Sequence, residues 1–242
     1  EFTLAKYIAA YTDPALLEVL WNTVIFVVGA SLSATILALF LAYLNIRTNI
    51  PCKFIFGVIS IIPMMIPHIL FSVSWVLLLN PSNGILNLII KEIFSLEGSP
   101  FNIYSLPGMI LVEGLLDLPI AYLIIAPAMA AFDASLEESS RVCGASTAKT
   151  IFRITLPVLR PAILAAFVLC VIRGLASFAV PSVIGMPGRI YVLATHLYQM
   201  VSTGFAADYG KAAAVGMSVM AASIILIYLY RHLTSAGDKF VT

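Results

Sequence analysis

Five apolar stretches, at about 19–45, 54–79, 106–132, 159–180 and 211–230, carry almost no charge, while Lys, Arg, Asp and Glu gather at their boundaries. A run of roughly 20 apolar residues is long enough to cross the hydrocarbon core of a bilayer as a helix. Inside that core every backbone N–H and C=O must be satisfied without water, which leaves only helices and closed β-barrels. A barrel needs segments of about ten residues that alternate apolar with polar, and no such alternation occurs here. The fold class is therefore all-α, a polytopic transmembrane helical bundle with about five spans. Composition agrees: 61% of the 242 residues are hydrophobic and 10% charged, with a mean hydropathy of +1.04, whereas a soluble domain carries roughly 25% charged residues. With 13 Lys+Arg against 12 Asp+Glu there is no basic face for phosphates, so nucleic acid is excluded as a partner and the lipid bilayer is implied. The length fits one membrane domain, 1–242, with no room for a soluble one.

The direction of the spans follows from the placement of Lys and Arg in short loops. If 46–53, 133–158 and 231–242 are cytoplasmic, that side holds Arg47, Lys53, Arg141, Lys149, Arg153, Arg231 and Lys239, with Arg160 at its edge; the other holds Lys6, Lys91, Arg189 and Lys211. The N-terminus then starts outside and the C-terminus ends inside. Because the chain opens on Glu1, not Met, and lacks a basic segment followed by an apolar core, a trimmed or processed N-terminus is expected.

Prolines punctuate the spans. Pro63 and Pro67 interrupt the second, and Pro119 and Pro127 the third, each removing a backbone donor and bending its helix. Asn80-Pro81-Ser82-Asn83-Gly84 is a dense turn signal, so 81–104 reads as an external loop containing a surface helix that starts at Ile85. Pro181 to Gly188 is a second external turn, followed by a short external or re-entrant helix over Tyr191 to Val201.

The most informative segment is the loop 133–157. Ser135 with Glu138 three residues later reads as a capping box, Gly144 as the left-handed residue that ends that helix, and Ser146 as the cap of a second. Ala148, Ile151 and Phe152 recur at helical spacing beside Lys149 and Arg153. A helix–glycine–helix hairpin with apolar residues and basic flanks projecting into water has the character of a protein docking surface; the bland alternative is a loop lying on lipid headgroups.

Glu138-Ser139-Ser140, three residues, Gly144, nine residues, Ile154, one residue, then Leu156-Pro157 resembles the Glu-Ala-Ala loop of permease subunits in binding-protein-dependent ABC importers. Every spacing matches; the departure is two serines for two alanines. The resemblance implies the type I permease fold, and it implies that 133–157 is a coupling loop seated in a cytoplasmic ATPase dimer. Glu138, Ser139, Ser140, Gly144, Ile154, Leu156 and Pro157, with Ile151 and Phe152 of the apolar face, then become ATPase-contacting residues. It implies as further partners a second permease subunit or domain and an extracytoplasmic substrate-binding protein, and as location the bacterial cytoplasmic (inner) membrane, crossed several times. The Asn80–Gly84 turn and the Tyr191–Thr195 run resemble the iron(III), polyamine and aminoethylphosphonate branch, which implies ferric iron as cargo, with polyamine, thiamine or phosphonate as alternatives. Since members often carry six spans per unit and some are fused duplicates, a further helix before Glu1, or a longer polypeptide of which this is half, is expected.

Gly144-Ala145-Ser146-Thr147-Ala148-Lys149-Thr150 superficially resembles a phosphate-binding loop, but that motif needs Gly, four residues, then Gly-Lys-Ser/Thr. Here Ala148 precedes Lys149 and Cys143 holds the first glycine's place. The expectation is that the chain has no catalytic residues and no cofactor of its own, ATP and Mg residing on the partner ATPase.

Three charges fall inside spans: Glu113, Asp117 and Arg173. Each costs at least about 2.5–3.5 kcal/mol at mid-bilayer, so each requires a reason. Glu113 and Asp117 are four apart and share one helix face. At 1.5 Å per residue, Glu113 and Arg173 lie about equally deep, roughly 10 Å below the outer surface. They are expected to pair, or both to face a hydrated translocation path; a static ion pair holding the third and fourth spans together and a substrate contact are equally open. His68, His196 and His232, the three cysteines and Met64-Met65 show no metal-ligand spacing and read as packing residues, and Asp208 and Tyr209 as interfacial. The competing class is a secondary transporter or channel driven by an ion gradient, with the three charges as its relay; it would expect inverted repeats, and none is evident. A membrane enzyme lacks any nucleophile–base or metal constellation.

Overall fold

The computed structural model describes residues 5–202 and 208–235. Glu1, the inner-face charge Lys239 and Phe240, the end of the family resemblance, lie outside them. A short helix α1 (Ala5–Tyr11) leads into the long α2 (Pro14–Arg47). Asp13 caps α2, its carboxylate accepting from Ala15 N at 3.0 Å, and Pro14 occupies the first turn, where its missing N–H costs nothing.

The second apolar stretch is not a single helix. α3 (Lys53–Ile61) tightens into a 3-10 turn over Ile62–Met65, and α4 (His68–Leu79) leaves at 110°. Ile66 is extended there, φ −97° and ψ 130°, as the residue before a proline prefers. The expected proline bend is thus a right-angle break. α3 rests on the half of the bundle holding Asn45 and Tyr122, and α4 on the half holding Met109 and Val112.

Beyond α4, α5 (Ile85–Phe94) is the expected surface helix. Buried Asn87 locks it down, its amide donating to the carbonyls of Leu79 (3.1 Å), Asn80 (3.0 Å) and Phe101 (2.9 Å) while its oxygen accepts from Phe101 N. α6 (Leu106–Ala131) follows and runs unbroken through Pro119 and Pro127. α7 (Ser135–Val142) and α8 (Thr147–Thr150) form the hairpin, and a π-helical turn (Ile151–Thr155) carries α8 directly into α9 (Leu156–Ala176). A second π-helical turn (Pro181–Gly185), α10 (Leu193–Ser202) and α11 (Tyr209–Ser235) complete the order. Among the described residues four helices are long and apolar enough to cross a membrane, or five if the bent α3–α4 pair counts as one.

The core is the α2–α6–α9 trio. Ala30, Ala34, Ala38 and Ala42 recur every fourth residue on α2 and are wholly buried, a small-residue stripe that lets backbones approach closely, as membrane helices require in the absence of a hydrophobic drive between them. Gly114 of α6 shows how close: a Cβ there would collide with Ser33 Oγ and lie 3.2 Å from the Ala30 carbonyl. One half of the core gathers Phe26, Met109, Val112 and Ile184; the other gathers Tyr122, Ile125, Met129, Leu159 and Cys170. Asn45 donates to the Tyr122 hydroxyl at 2.7 Å, tying α2 to α6.

Candidate functional site

The hairpin is built by local chemistry. α7 ends in a Schellman motif around Gly144 (φ +81°): Ala145 N donates to Ser140 O at 3.1 Å and Gly144 N to Arg141 O at 2.9 Å. Ser146 Oγ then accepts from Lys149 N at 3.3 Å and starts α8, as expected. The start of α7 differs from expectation. Its cap is not a Ser135–Glu138 box; Asp133 accepts from Ser135 N (2.9 Å) and from Ser135 Oγ (2.8 Å). These bonds, the backbone one foremost, hold the Asp133 carboxyl below the usual carboxylate range. Asp133 precedes the helix by two residues and offers two acceptors, so it out-competes the single hydroxyl of Ser135.

Glu138, Ser139, Gly144, Phe152 and Pro157 are exposed, with Val142 88% and Phe152 71% accessible. Ser140 is half-buried and its hydroxyl lies 3.0 Å from Thr150 Oγ1, bracing α7 against α8. Ile151, Phe152 and Leu156 line an apolar groove of about 300 Å³ whose opposite wall is Ile36, Phe40 and Tyr43 of α2. Ile154 is half-buried. Before Pro157, which has no N–H, Leu156 N donates to Ile151 O five residues back, the bond that makes this turn π-helical.

The residue that sequence reasoning passed over is Glu137. It is 4% exposed, accepts from Thr155 Oγ1 at 2.7 Å and faces Arg47 Nε at 3.5 Å. Its neighbour Glu138 is exposed. Arg47 closes the end of α6 by donating from Nη2 to Met129 O (3.0 Å) and Phe132 O (2.8 Å), with its guanidinium 5.3 Å from the Phe132 ring centre. Two adjacent glutamates in one first turn give no sequence signal for which is turned inward.

Within the bundle, Arg173 Nε donates to Asp117 Oδ1 at 2.9 Å. The expected Glu113–Arg173 pair is therefore made by Asp117, and Glu113 accepts instead from Ser177 Oγ at 2.8 Å. One helical turn decides it: of the two carboxylates on that face, the deeper one meets the guanidinium. Glu113 and Arg173 share the wall of a cavity of about 260 Å³ with His68, Ala176, Ser177, Phe178 and Ala179. His68, read from sequence as packing, was detectable as an ionisable residue inside an apolar stretch.

The family described as "Binding-protein-dependent transport system inner membrane component" matches residues 34–236. The chain belongs to that family. Among relatives of this permease, the ferric transport system permease protein FbpB of Actinobacillus pleuropneumoniae is 27% identical over 209 residues, covering 86% of this chain and 30% of that protein. The xylose/arabinose import permease protein XacH of Haloferax volcanii is 26% identical over 245 residues, covering 97% and 75%. The chain spans about a third of the length of the first ferric relatives it matches. A solved bacterial ABC transporter involved in import of the acidic polysaccharide alginate superposes with a TM-score of 0.76 at 20% identity, over 98% of this chain and 84% of that one. The methionine ABC transporter MetNI superposes with a TM-score of 0.57 at 19% identity, over 95% and 97%. These two likenesses show the fold, all-α, and the family description places the chain among inner membrane components.

Proposed function

We propose that this permease domain forms half of the translocation pathway of an ATP-driven, binding-protein-dependent importer and is moved by separate cytoplasmic ATPase subunits that grip the 133–157 hairpin. The observation that carries the reading is the hairpin itself: a hydrogen-bonded structure, closed by a Schellman motif, that displays Val142 and Phe152 to the outside. Large apolar side chains left open on a polar, eight-residue helix and its return limb mark a partner surface. The return limb is continuous with α9, Thr147 to Ala176, so force on the hairpin is applied directly to a membrane span. ATP and Mg belong to the partner, a second permease subunit or domain supplies the other half of the pathway, and a binding protein delivers substrate on the far side. The 133–158 loop is assigned to the cytoplasm by its basic residues.

Ferric iron is the proposed cargo, supported by the names of the ferric relatives; polyamine, thiamine and phosphonate are the alternatives. The cavity lined by Glu113, Arg173 and His68 is the proposed pathway-lining site, with Asp117 buried behind it and holding Arg173 in place. Purifying the complex from native membranes through a tag on this chain tests the coupling: an ATPase subunit is expected to co-purify, and Phe152→Asp to reduce its recovery about tenfold, within the loss from truncating a buried interface anchor. Recovery of the permease without any ATPase, or undiminished recovery with Phe152→Asp, overturns the proposal. Uptake of radiolabelled ferric iron into proteoliposomes loaded with ATP, compared with putrescine, tests the cargo.

A further inference from the structure

We propose that Arg47, Glu137 and Thr155 form a clasp that makes the hairpin and the membrane bundle move as one body, so that these three are positioning residues for the transport stroke. The inference rests on the reading of the hairpin as the ATPase handle and adds the element that joins handle to bundle.

Helix α7 cannot hold its place by apolar packing. It is eight residues long, and an isolated helix of that length is unstable in water; its single buried residue is Glu137. Burying a carboxylate is costly unless it is paired and hydrogen-bonded, and Glu137 is both, to Arg47 and to Thr155. Each partner belongs to a different element. Arg47 ends α2 and at the same time closes α6 through the Met129 and Phe132 carbonyls. Thr155 is the last residue of the π-helical turn that leads into α9. The end of α2, the start of α9 and the first turn of α7 therefore meet at one carboxylate, and the end of α6 is joined to them through Arg47. The guanidinium has no freedom to follow Glu137 outward, because its Nη2 is committed to two carbonyls and its face to Phe132. Any displacement of the hairpin must carry the three core helices with it or break a buried ion pair, which is the property a coupling element requires. Nothing comparable ties Glu138, which is exposed.

The test uses the tagged complex with its ATPase and needs no knowledge of the cargo. The chain's own cysteines are removed by Cys52→Ser, Cys143→Ser and Cys170→Ala, and Ala176→Cys places a single reporter thiol in the wall of the intramembrane cavity. The rate at which a water-soluble methanethiosulfonate reagent modifies that thiol is compared with and without ATP plus vanadate. With the clasp intact, nucleotide trapping is expected to change that rate. Thr155→Val, which keeps the side-chain shape and loses only the hydroxyl, and Glu137→Gln, which loses the charge, are expected to keep ATP hydrolysis within about twofold while shrinking the nucleotide-dependent change about three- to tenfold. A full nucleotide response in both variants overturns the clasp. So does loss of the ATPase from both, since that assigns the three residues to assembly alone. If the reporter thiol shows no nucleotide response with the clasp unaltered and the ATPase present, the reading of the hairpin as handle fails, and the clasp with it.

Discussion

Among the described residues two arginine–carboxylate pairs stand out, each with a buried carboxylate, and they are built for different tasks. At the hairpin end, Arg47 and Glu137 have side chains 10% and 6% exposed, and the groups they bond, Met129 O, Phe132 O and Thr155 Oγ1, lie at or near helix ends. In the bundle, Asp117 is sealed at 0% exposure but Arg173 is 35% exposed and opens onto the cavity shared with Glu113 and His68. The first arginine is occupied by two carbonyls and an aromatic ring; the second has one bond on Nε and a face toward open space. An arginine enclosed on all sides and bonded to two carbonyls joins elements mechanically, whereas one that is a third exposed is available to whatever passes. Both pairs are costly to break and neither is needed to hold a helix in a membrane, so their presence points to work other than stability.

The comparison is broken most sharply by removing one arginine at a time. Arg173→Met leaves Asp117, wholly buried with Oδ2 making no hydrogen bond among the described residues, as an uncompensated charge. It is expected to destabilise the protein by about 3–5 kcal/mol, and the Arg173→Met/Asp117→Leu double variant to recover most of that loss; thermal unfolding in detergent measures both. Arg47→Met frees two carbonyls and Glu137 at the end of the bundle, where Glu137 keeps its bond from Thr155, and is expected to cost less, about 2–3 kcal/mol in the same assay. An equal cost for the two would dissolve the distinction drawn between them.

Smaller effects test the hairpin alone. Gly144→Ala forces a Cβ into a left-handed conformation with open space around it, so the cost is backbone strain of about 1 kcal/mol, seen as faster amide exchange across α7. Ser146→Ala removes the cap of α8 for about 1 kcal/mol, with exchange speeding there and not in α7. Asp133, fully exposed, should contribute least. Its carboxyl is held below its ordinary value, so its contribution is present above the unfolded value of about 3.9 and is lost as the pH falls through the lower folded value. Proteolysis of the hairpin should accordingly accelerate in acid for the wild type and show no such acid step in Asp133→Asn.

These two regions also mark where sequence reasoning succeeds. The Gly144 and Ser146 ends of the hairpin were readable because each is settled within four residues of chain. The number and type of long helices were readable because a bilayer demands apolar length, and the family followed from seven positions at fixed spacing. The clasp was not readable: Glu137 and Glu138 are chemically identical neighbours, and only the rotation of α7 against α2 and α9 turns one inward. Nor was the choice between Glu113 and Asp117, since both lie on the face that meets α9 and a one-turn axial shift selects which one reaches Arg173.

What the amino-acid order alone establishes, then, is an all-α membrane permease with a capped hairpin between its third and fourth apolar stretches, because apolar length and turn chemistry are local properties. The partners of its buried charges, the 110° break between α3 and α4 and the meeting of α2, α7 and α9 at Glu137 were decided only by the packed structure. Those depend on the relative rotation and register of helices far apart in the chain, set by the close approach that the α2 alanine stripe and Gly114 permit.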